Sequence, residues 1–179
     1  MNGVEKKLID FITGQKVVDT TDERVRQGIE RFLIEEKGYS KDDIEVDRGF
    51  DIVIDEKINR AKVDLVISVE GKRFMIIKCS RGSLSSWERE VLSCARIFDI
   101  YVIPVAVITD GEDAEILDPV TGKAIGYGLV EIPSRHEALE AIKRIEFKEL
   151  PDDKREKEKR VFLAFESIKS EECGFRPAP

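Results

Sequence analysis

The amino-acid sequence predicts an α/β domain with a mixed central sheet held between helices. Three observations carry that reading. Ala61–Val69 and Lys72–Cys79 are strand-like, apolar on both faces, and joined by the polar turn Glu70-Gly71-Lys72. Amphipathic helical stripes bracket them in the chain, one from Thr20 to Gly38 and one over about Leu84–Phe98. Tyr101–Thr109 is a further run apolar on both sides, the pattern of a buried strand. A sheet that is apolar on both sides needs cover on both sides, and helices supply it.

From the N-terminus, Val4, Leu8, Phe11 and Ile12 recur at helical spacing and stop at Gly14, so Val4–Ile12 reads as a short helix. Thr20-Thr21-Asp22-Glu23 reads as a capping box, with Thr20 as N-cap and Glu23 three residues on. The helix it opens buries Val25, Ile29, Phe32 and Leu33 and ends at Gly38. Ile44–Asp55 reads as one bent strand, or two short ones around Gly49. After the hairpin comes a helix whose Leu84, Trp87, Val91, Ala95 and Phe98 share one face. Pro104 lacks a backbone donor and argues for a bulge or an edge within the next strand. Asp110-Gly111 turns the chain into a short strand, Ala114–Leu117, and Asp118-Pro119 with Thr121-Gly122 makes another turn. Ser134 caps a helix through about Ile145. Asp152–Ile168 is a highly charged helix whose Val161, Phe162, Phe165 and Ile168 dock onto the body, and Ser170–Pro179 reads as a mobile tail. The expected organisation is an N-terminal helix and linker over residues 1–19, the α/β domain over 20–147, and a charged helix and tail over 148–179.

With Glu70-Gly71-Lys72 as the loop, antiparallel pairing sets Asp64 opposite Lys78 and Val66 opposite Ile76. Directly opposed side chains lie roughly 4.5–5.5 Å apart at Cβ. Val66, Phe74 and Ile76 share that face, while Val63, Leu65, Ile67, Met75 and Ile77 take the other. Charges among apolar neighbours are costly unless partnered, so the pair marks a candidate site. An ordinary cross-strand ion pair near a sheet end fits the same pattern.

The chain has 179 residues, enough for one domain with a real core and an appended helix. Its 37% charged content is the kind found in surface ion-pair networks that serve at high temperature. A net charge of −7 withholds any general pull toward nucleic acid, so such binding needs a local basic patch. Cys79, Cys94 and Cys173 show no metal-ligand spacing, and an odd count with no signal peptide predicts a reducing cytoplasm. The longest apolar run, Ile100–Ile108, is too short to span a bilayer, so the expectation is a soluble protein.

Asp22-Glu23-Arg24-Val25-Arg26-Gln27, followed by Phe32-Leu33-Ile34-Glu35-Glu36-Lys37-Gly38-Tyr39, resembles the opening of the restriction-endonuclease-like PD-(D/E)xK fold. Within that fold it is most similar to the nuclease domain at the N-terminus of type I restriction enzyme R subunits. The resemblance continues through Val63-Asp64-Leu65-Val66, the Lys78 strand, the Trp87–Ala95 helix and Thr109-Asp110-Gly111, and it ends near Thr121-Gly122-Lys123. It implies a restriction-endonuclease-like mixed sheet flanked by helices, and DNA cleavage dependent on Mg²⁺ or Mn²⁺. In the family, the strand matching Asp64 supplies a metal-binding aspartate, and the next carries an acid, one intervening residue and a lysine, here Lys78. A hard cation held by carboxylates polarises the phosphate and lowers the pKa of a bound water. The lysine orients that water and stabilises developing charge.

The chain departs from the family at the second acid. Two residues before Lys78 stands Ile76, which cannot ligate a metal. Some nucleases of this fold carry the missing acid on the following helix, where this chain offers Glu88 and Glu90. R-subunit-like domains place an inward glutamine and, four residues later, a tyrosine at positions matching Glu90 and Cys94, which favours Glu90 as catalytic residue and metal ligand. The competing reading is a surface glutamate on a degenerate site. Glu23 matches a first-helix glutamate near the metal in related nucleases, and is equally the partner of Thr20 in a capping box. Asp47 and Asp51 are further acids or simply an exposed strand edge, and His136 is a solvated helix residue. Arg73, Arg81 and Arg89, with Lys72, are the candidate nucleic-acid-binding patch.

The activity so implied is a Mg²⁺-dependent DNA endonuclease using Asp64, Glu90 and Lys78. At this length there is no room for a helicase motor, so it would act alone, as a homodimer, or beside a separately encoded partner protein. One rival is a catalytically inactive nuclease fold kept as a nucleic-acid-binding or protein-interaction module. The other is a scaffold whose charged C-terminal helix is the interaction element.

Overall fold

Six strands stand in chain order across one sheet, so most connections are hairpins and only one needs a helical crossover. The computed structural model describes residues 6–172. Its elements are β1 (Lys7–Ile9), β2 (Lys16–Val18), α1 (Thr21–Glu35), β3 (Ile44–Ile54), β4 (Lys57–Val69), β5 (Lys72–Cys79), α2 (Glu88–Ile97), β6 (Val105–Thr109), β7 (Ala114–Asp118), β8 (Lys123–Tyr127), α3 (Arg135–Ile142) and α4 (Asp152–Glu172). The large sheet runs β3-β4-β5-β6-β7-β8, antiparallel throughout except for the parallel pair β5 and β6. Parallel neighbours cannot be joined by a tight turn, and α2 is the crossover between these two.

Helices cover both faces, as the two-sided apolar pattern requires. On one face α2 and α4 pack on Val66, Ile76, Ala106, Ile108 and Leu117, with Phe162 of α4 in the same cluster. On the other, Ile29 and Leu33 of α1 and Ala138 of α3 pack on Leu65, Ile67, Met75, Ile77 and Val107. β6 lies at the centre of this arrangement and is buried at every position. The expected edge at Pro104 is not there: Pro104 sits just before the first strand residue, where a missing N–H leaves the ladder intact.

The β4–β5 hairpin reaches the expected register by an unexpected route. Its loop is only Glu70-Gly71, with Val69 paired to Lys72. Both loop residues have positive φ, 48° and 73°, the geometry of a type I′ turn whose twist suits a hairpin. That loop alone would put the pairing one residue out. A bulge corrects it, since Ser68 pairs with Arg73 while Ile67 pairs with Met75, leaving Phe74 as the extra residue. Val66 therefore does face Ile76. Phe74, however, is turned to the α1/α3 side rather than the side of Ile76.

A second irregularity crosses β3 and β4 on a single rung. Val46 pairs with Leu65 and Arg48 with Val63, but Asp47 and Asp64 between them are not paired, and Asp47 has φ 47°. Both strands change sides there. Ile44 and Leu65 pack on the α1/α3 face, whereas Ile52, Ile54, Ala61 and Val63 pack on the α2/α4 face. Val63 thus joins the face of Ile76, contrary to simple alternation. The bend expected at Gly49 is located at Asp47, two residues earlier.

Elsewhere the N-terminal helix is replaced by the β1–β2 hairpin. Asp10 explains the difference: its carboxylate accepts from the N–H groups of Ile12 and Thr13 and from the Thr13 hydroxyl, closing a turn that Gly14 continues at φ 70°. Val4 lies outside the described residues. Thr20 caps α1 through Glu23 N–H as expected, but the Glu23 carboxylate turns to Arg26 and Gln27 instead of reaching back to complete a capping box. The expected Leu84–Phe98 helix splits into a single 3₁₀ turn, Leu84–Ser86, and α2. Ser134 and Glu137 form a full capping box on α3. β8, absent from the sequence reading, completes the sheet. α4 continues to Glu172, and the rest of the expected tail lies outside the described residues.

Candidate active site

Asp64 and Lys78 lie on adjacent antiparallel strands and open onto one cavity of about 470 Å³. Asp64 sits on the unpaired rung of β3 and β4, and its Oδ2 accepts the Cys79 N–H at 2.8 Å. Lys78 extends beneath α2, where its Nζ stands 3.2 Å from Glu90 Oε1. This pair is largely dry, with the Lys78 side chain 15% exposed and that of Glu90 3%. Glu90 is held there by its helix: it occupies the first turn of α2, where the dipole favours a carboxylate, and it flanks the buried Val91, Cys94 and Ala95. The Trp87 ring closes the arrangement, its centroid 5.1 Å from the Lys78 ammonium, within cation–π range.

The cavity is layered by polarity. Val63, Ile76, Val91, Cys94 and Phe162 form a buried apolar floor beside Glu90. Asp22, Lys62 and Arg81 stand exposed at the rim. Two rim ion pairs, Arg81–Asp22 at 2.7 Å and Lys62–Asp47 at 3.3 Å, hold the cations in place. α4 contributes Phe162 and Glu166 to the wall. Burial pushes the Cys79 thiol well above its ordinary range, and the Asp64 carboxylate pushes the same way.

The remaining candidates are dispersed. Glu23 does not line the cavity; its carboxylate accepts from Arg26 at 2.6 Å and from Gln27 at 2.8 Å. Arg73 lies at the opposite end of β5 from Lys78, bound to Glu45 and Asp99. Arg89 is on α2 but points to α4, where it meets Glu158 at 2.7 Å. Of the three arginines, only Arg81 reaches the cavity. Asp51 is exposed across from Arg60, and His136 is exposed on α3.

Three features escaped the sequence reading. The first is a buried cluster in which Arg26 joins Asp10 (2.9 Å), Glu23 (2.6 Å) and Glu30 (3.1 Å), tying the β1–β2 hairpin to α1. Burial lifts the Glu30 carboxyl to about 7; Asp10 pushes the same way and Arg26 opposes. The second is a carboxyl pair, in which burial and then the neighbouring Glu88 raise the Glu115 pKa. The third is α4 as a cavity wall. Its anchor is Glu158, whose carboxyl is held below its usual range by Arg89 and Arg96 although burial works against the charge. Helical spacing of Glu23, Arg26 and Glu30 was a readable hint of the first; the apolar stripe of α4 signalled docking but not what it covers, and nothing local signalled the carboxyl pair.

Among the described residues no helix is long and apolar enough to cross a membrane. No curated protein and no solved structure matches the chain. Residues 21–133, from the start of α1 through the whole six-stranded sheet, match the type I restriction enzyme R protein N terminus, and the chain belongs to that family.

Proposed function

We propose that this domain is a metal-dependent DNA endonuclease of restriction type, hydrolysing phosphodiester bonds through Asp64, Lys78 and Glu90. What supports the reading is the meeting of those three side chains at one cavity, with Glu90 on α2 beside the lysine of β5. Glu90 thereby stands in for the acid that Ile76 cannot provide. Asp64 and Glu90 are hard oxygen donors of the kind Mg²⁺ takes, one or two carboxylates with water and substrate phosphate completing the shell. When bound, the cation would polarise the scissile phosphate and acidify a water. Lys78 is a point charge on a flexible stem, able to pass from Glu90 to a phosphate oxygen while the Trp87 face limits its travel.

A specific observation also favours a second reading, an inactive nuclease fold that binds nucleic acid or protein. Ile76 is fully buried in the cavity floor, and Lys78 is already neutralised by Glu90. Cleavage of supercoiled and linear DNA in Mg²⁺, Mn²⁺ and EDTA separates the two. The endonuclease reading expects cation-dependent cutting that disappears in both Asp64→Ala and Lys78→Ala, because parts acting as a unit fail together. Ile76→Glu restores the family's acid: under the inactive reading it creates Mg²⁺ binding by calorimetry where the parent has none, and under the active reading it adds little. No cutting and no metal binding by the parent protein would exclude the enzyme.

A further inference from the structure

We infer that Lys62 and Arg81 form a two-sided clamp for the backbone of duplex DNA, holding the phosphates next to the scissile one, and that Asp47 and Asp22 keep the two cations in reserve until DNA displaces them; this rests on the nuclease reading of the same cavity. The sheet makes the clamp by forking. From their turn, β4 and β5 stay paired only as far as Leu65 and Ile77. Past that rung β4 keeps β3 as its neighbour, while β5 continues beside β6 to Cys79. Asp64 and Lys78 are the first residues beyond the fork, one on each branch, and the Cys79 N–H bond to Asp64 closes its base. A phosphodiester that reaches this pair has to enter between the branches.

Each branch carries one exposed cation at the mouth. Lys62 stands two residues before Asp64 on β4, and Arg81 stands three residues after Lys78, just past the end of β5. Both line the cavity, with side chains 65% and 60% exposed, whereas Lys78 lies deeper at 15%. Depth therefore sorts the cations: Lys78 belongs to the scissile phosphate, and the two at the lips belong to its neighbours. Their present partners come from other elements, Asp47 of β3 at 3.3 Å and Asp22 of α1 at 2.7 Å. Both carboxylates are exposed, and ion pairs in that setting are weak, so a phosphate can take their place. Lysine and arginine lose much rotamer freedom when immobilised, and a carboxylate that already holds them at the lip bears part of that loss before DNA arrives.

Binding of a labelled DNA duplex by the full chain, read by anisotropy in EDTA and again in Ca²⁺ across a range of KCl, tests the clamp. Lys62→Gln and Arg81→Gln should each weaken binding at least about threefold and make the plot of log affinity against log salt shallower by about 0.9. Lys62→Arg should keep both the affinity and the slope. Asp47→Asn and Asp22→Asn should act in the opposite direction, tightening binding at least about twofold by releasing a cation. Asparagine tolerates the φ of 47° at Asp47, and Asp22 is an exposed helix residue, so the second variant stands if the first fails to fold. Glu140→Gln is the control, since it removes one negative charge and frees Lys143 on α3, away from the cavity, and should leave binding unchanged. An unaltered slope in either cation variant, no tightening in either aspartate variant, equal tightening by Glu140→Gln, or no duplex binding by the parent overturns the clamp. Cleavage in Mg²⁺ is scored separately: the expected slopes without cutting remove the endonuclease and leave the clamp, whereas cutting with unaltered slopes removes only the clamp.

Discussion

Lys78 and Glu90 can be studied for stability apart from any reaction. Lys78→Met takes the ammonium away from a carboxylate that is 3% exposed, and urea unfolding should show a loss of about 3 kcal/mol. Adding Glu90→Leu should recover most of it, because a buried ion pair replaced by apolar side chains of similar volume is near neutral. Glu30 gives the pH counterpart. Its folded pKa of about 7 lies above the unfolded value of 4.5, so the native state holds this proton more tightly. That contribution is fully present below pH 4.5 and is lost as pH rises toward 7, a change of about 3 kcal/mol. Glu30→Gln should flatten the unfolding free energy across that window and leave the protein more stable than the parent at pH 8. At this scale the structure brings Asp64, Lys78 and Glu90 to one cavity; hairpin pairing suggested the first two, and the family resemblance, not a local rule, pointed to Glu90. Arg26 was not legible in the sequence, since its burial depends on Asp10, sixteen residues away in a turn that reads as helix.

Among the elements, α4 is the one whose worth the sequence understated. The expected docking stripe holds at Phe162, which is 2% exposed, but not at Ile168, which is exposed, and Arg155 adds an unforeseen bond to the carbonyl of Ile97 at the end of α2. Phe162→Ala should cost about 3–5 kcal/mol by chemical denaturation, the usual range for a buried phenylalanine. It should also widen the cavity that Phe162 lines. A cost below 1 kcal/mol would mean that α4 is only lightly docked. The helices α1, α3 and α4 and the strands β3 to β7 were readable from periodicity and caps. β1 and β2 were not, because Leu8, Phe11 and Ile12 mimic helical spacing while Asp10 closes a turn. β8 was missed for a different reason: its outward Ile125 and Tyr127 are exposed and Gly126 interrupts the pattern, so alternation carried no inside–outside signal.

At the scale of the whole molecule the acidic balance sets how nucleic acid can bind. With a net charge of −7, attraction has to come from a local patch, and at the cavity the exposed cations are Lys62 and Arg81. Two phosphate contacts on duplex DNA correspond to a slope of about −2 in a plot of log affinity against log salt concentration. Titrations with a DNA duplex across a range of KCl should return that shallow slope; one steeper than about −4 would place further contacts on another surface. The two-sided sheet was foreseeable from composition and pattern, but the side exchange at Asp47 and Asp64 was not, since no apolar period marks it. That shared rung has a consequence for how the gene can change. Loss of the Asp47 codon would set Val46 beside Arg48, where plain alternation keeps Ile52 and Ile54 on the α2/α4 face and leaves Asp64 as a bulge in β4. Loss of the Asp64 codon would likewise keep Val63 and Leu65 on opposite faces, but would take the metal-binding candidate with it. Length variation among descendants of this sequence should therefore be tolerated at Asp47, or at the Asp55-Glu56 loop, more readily than at Asp64.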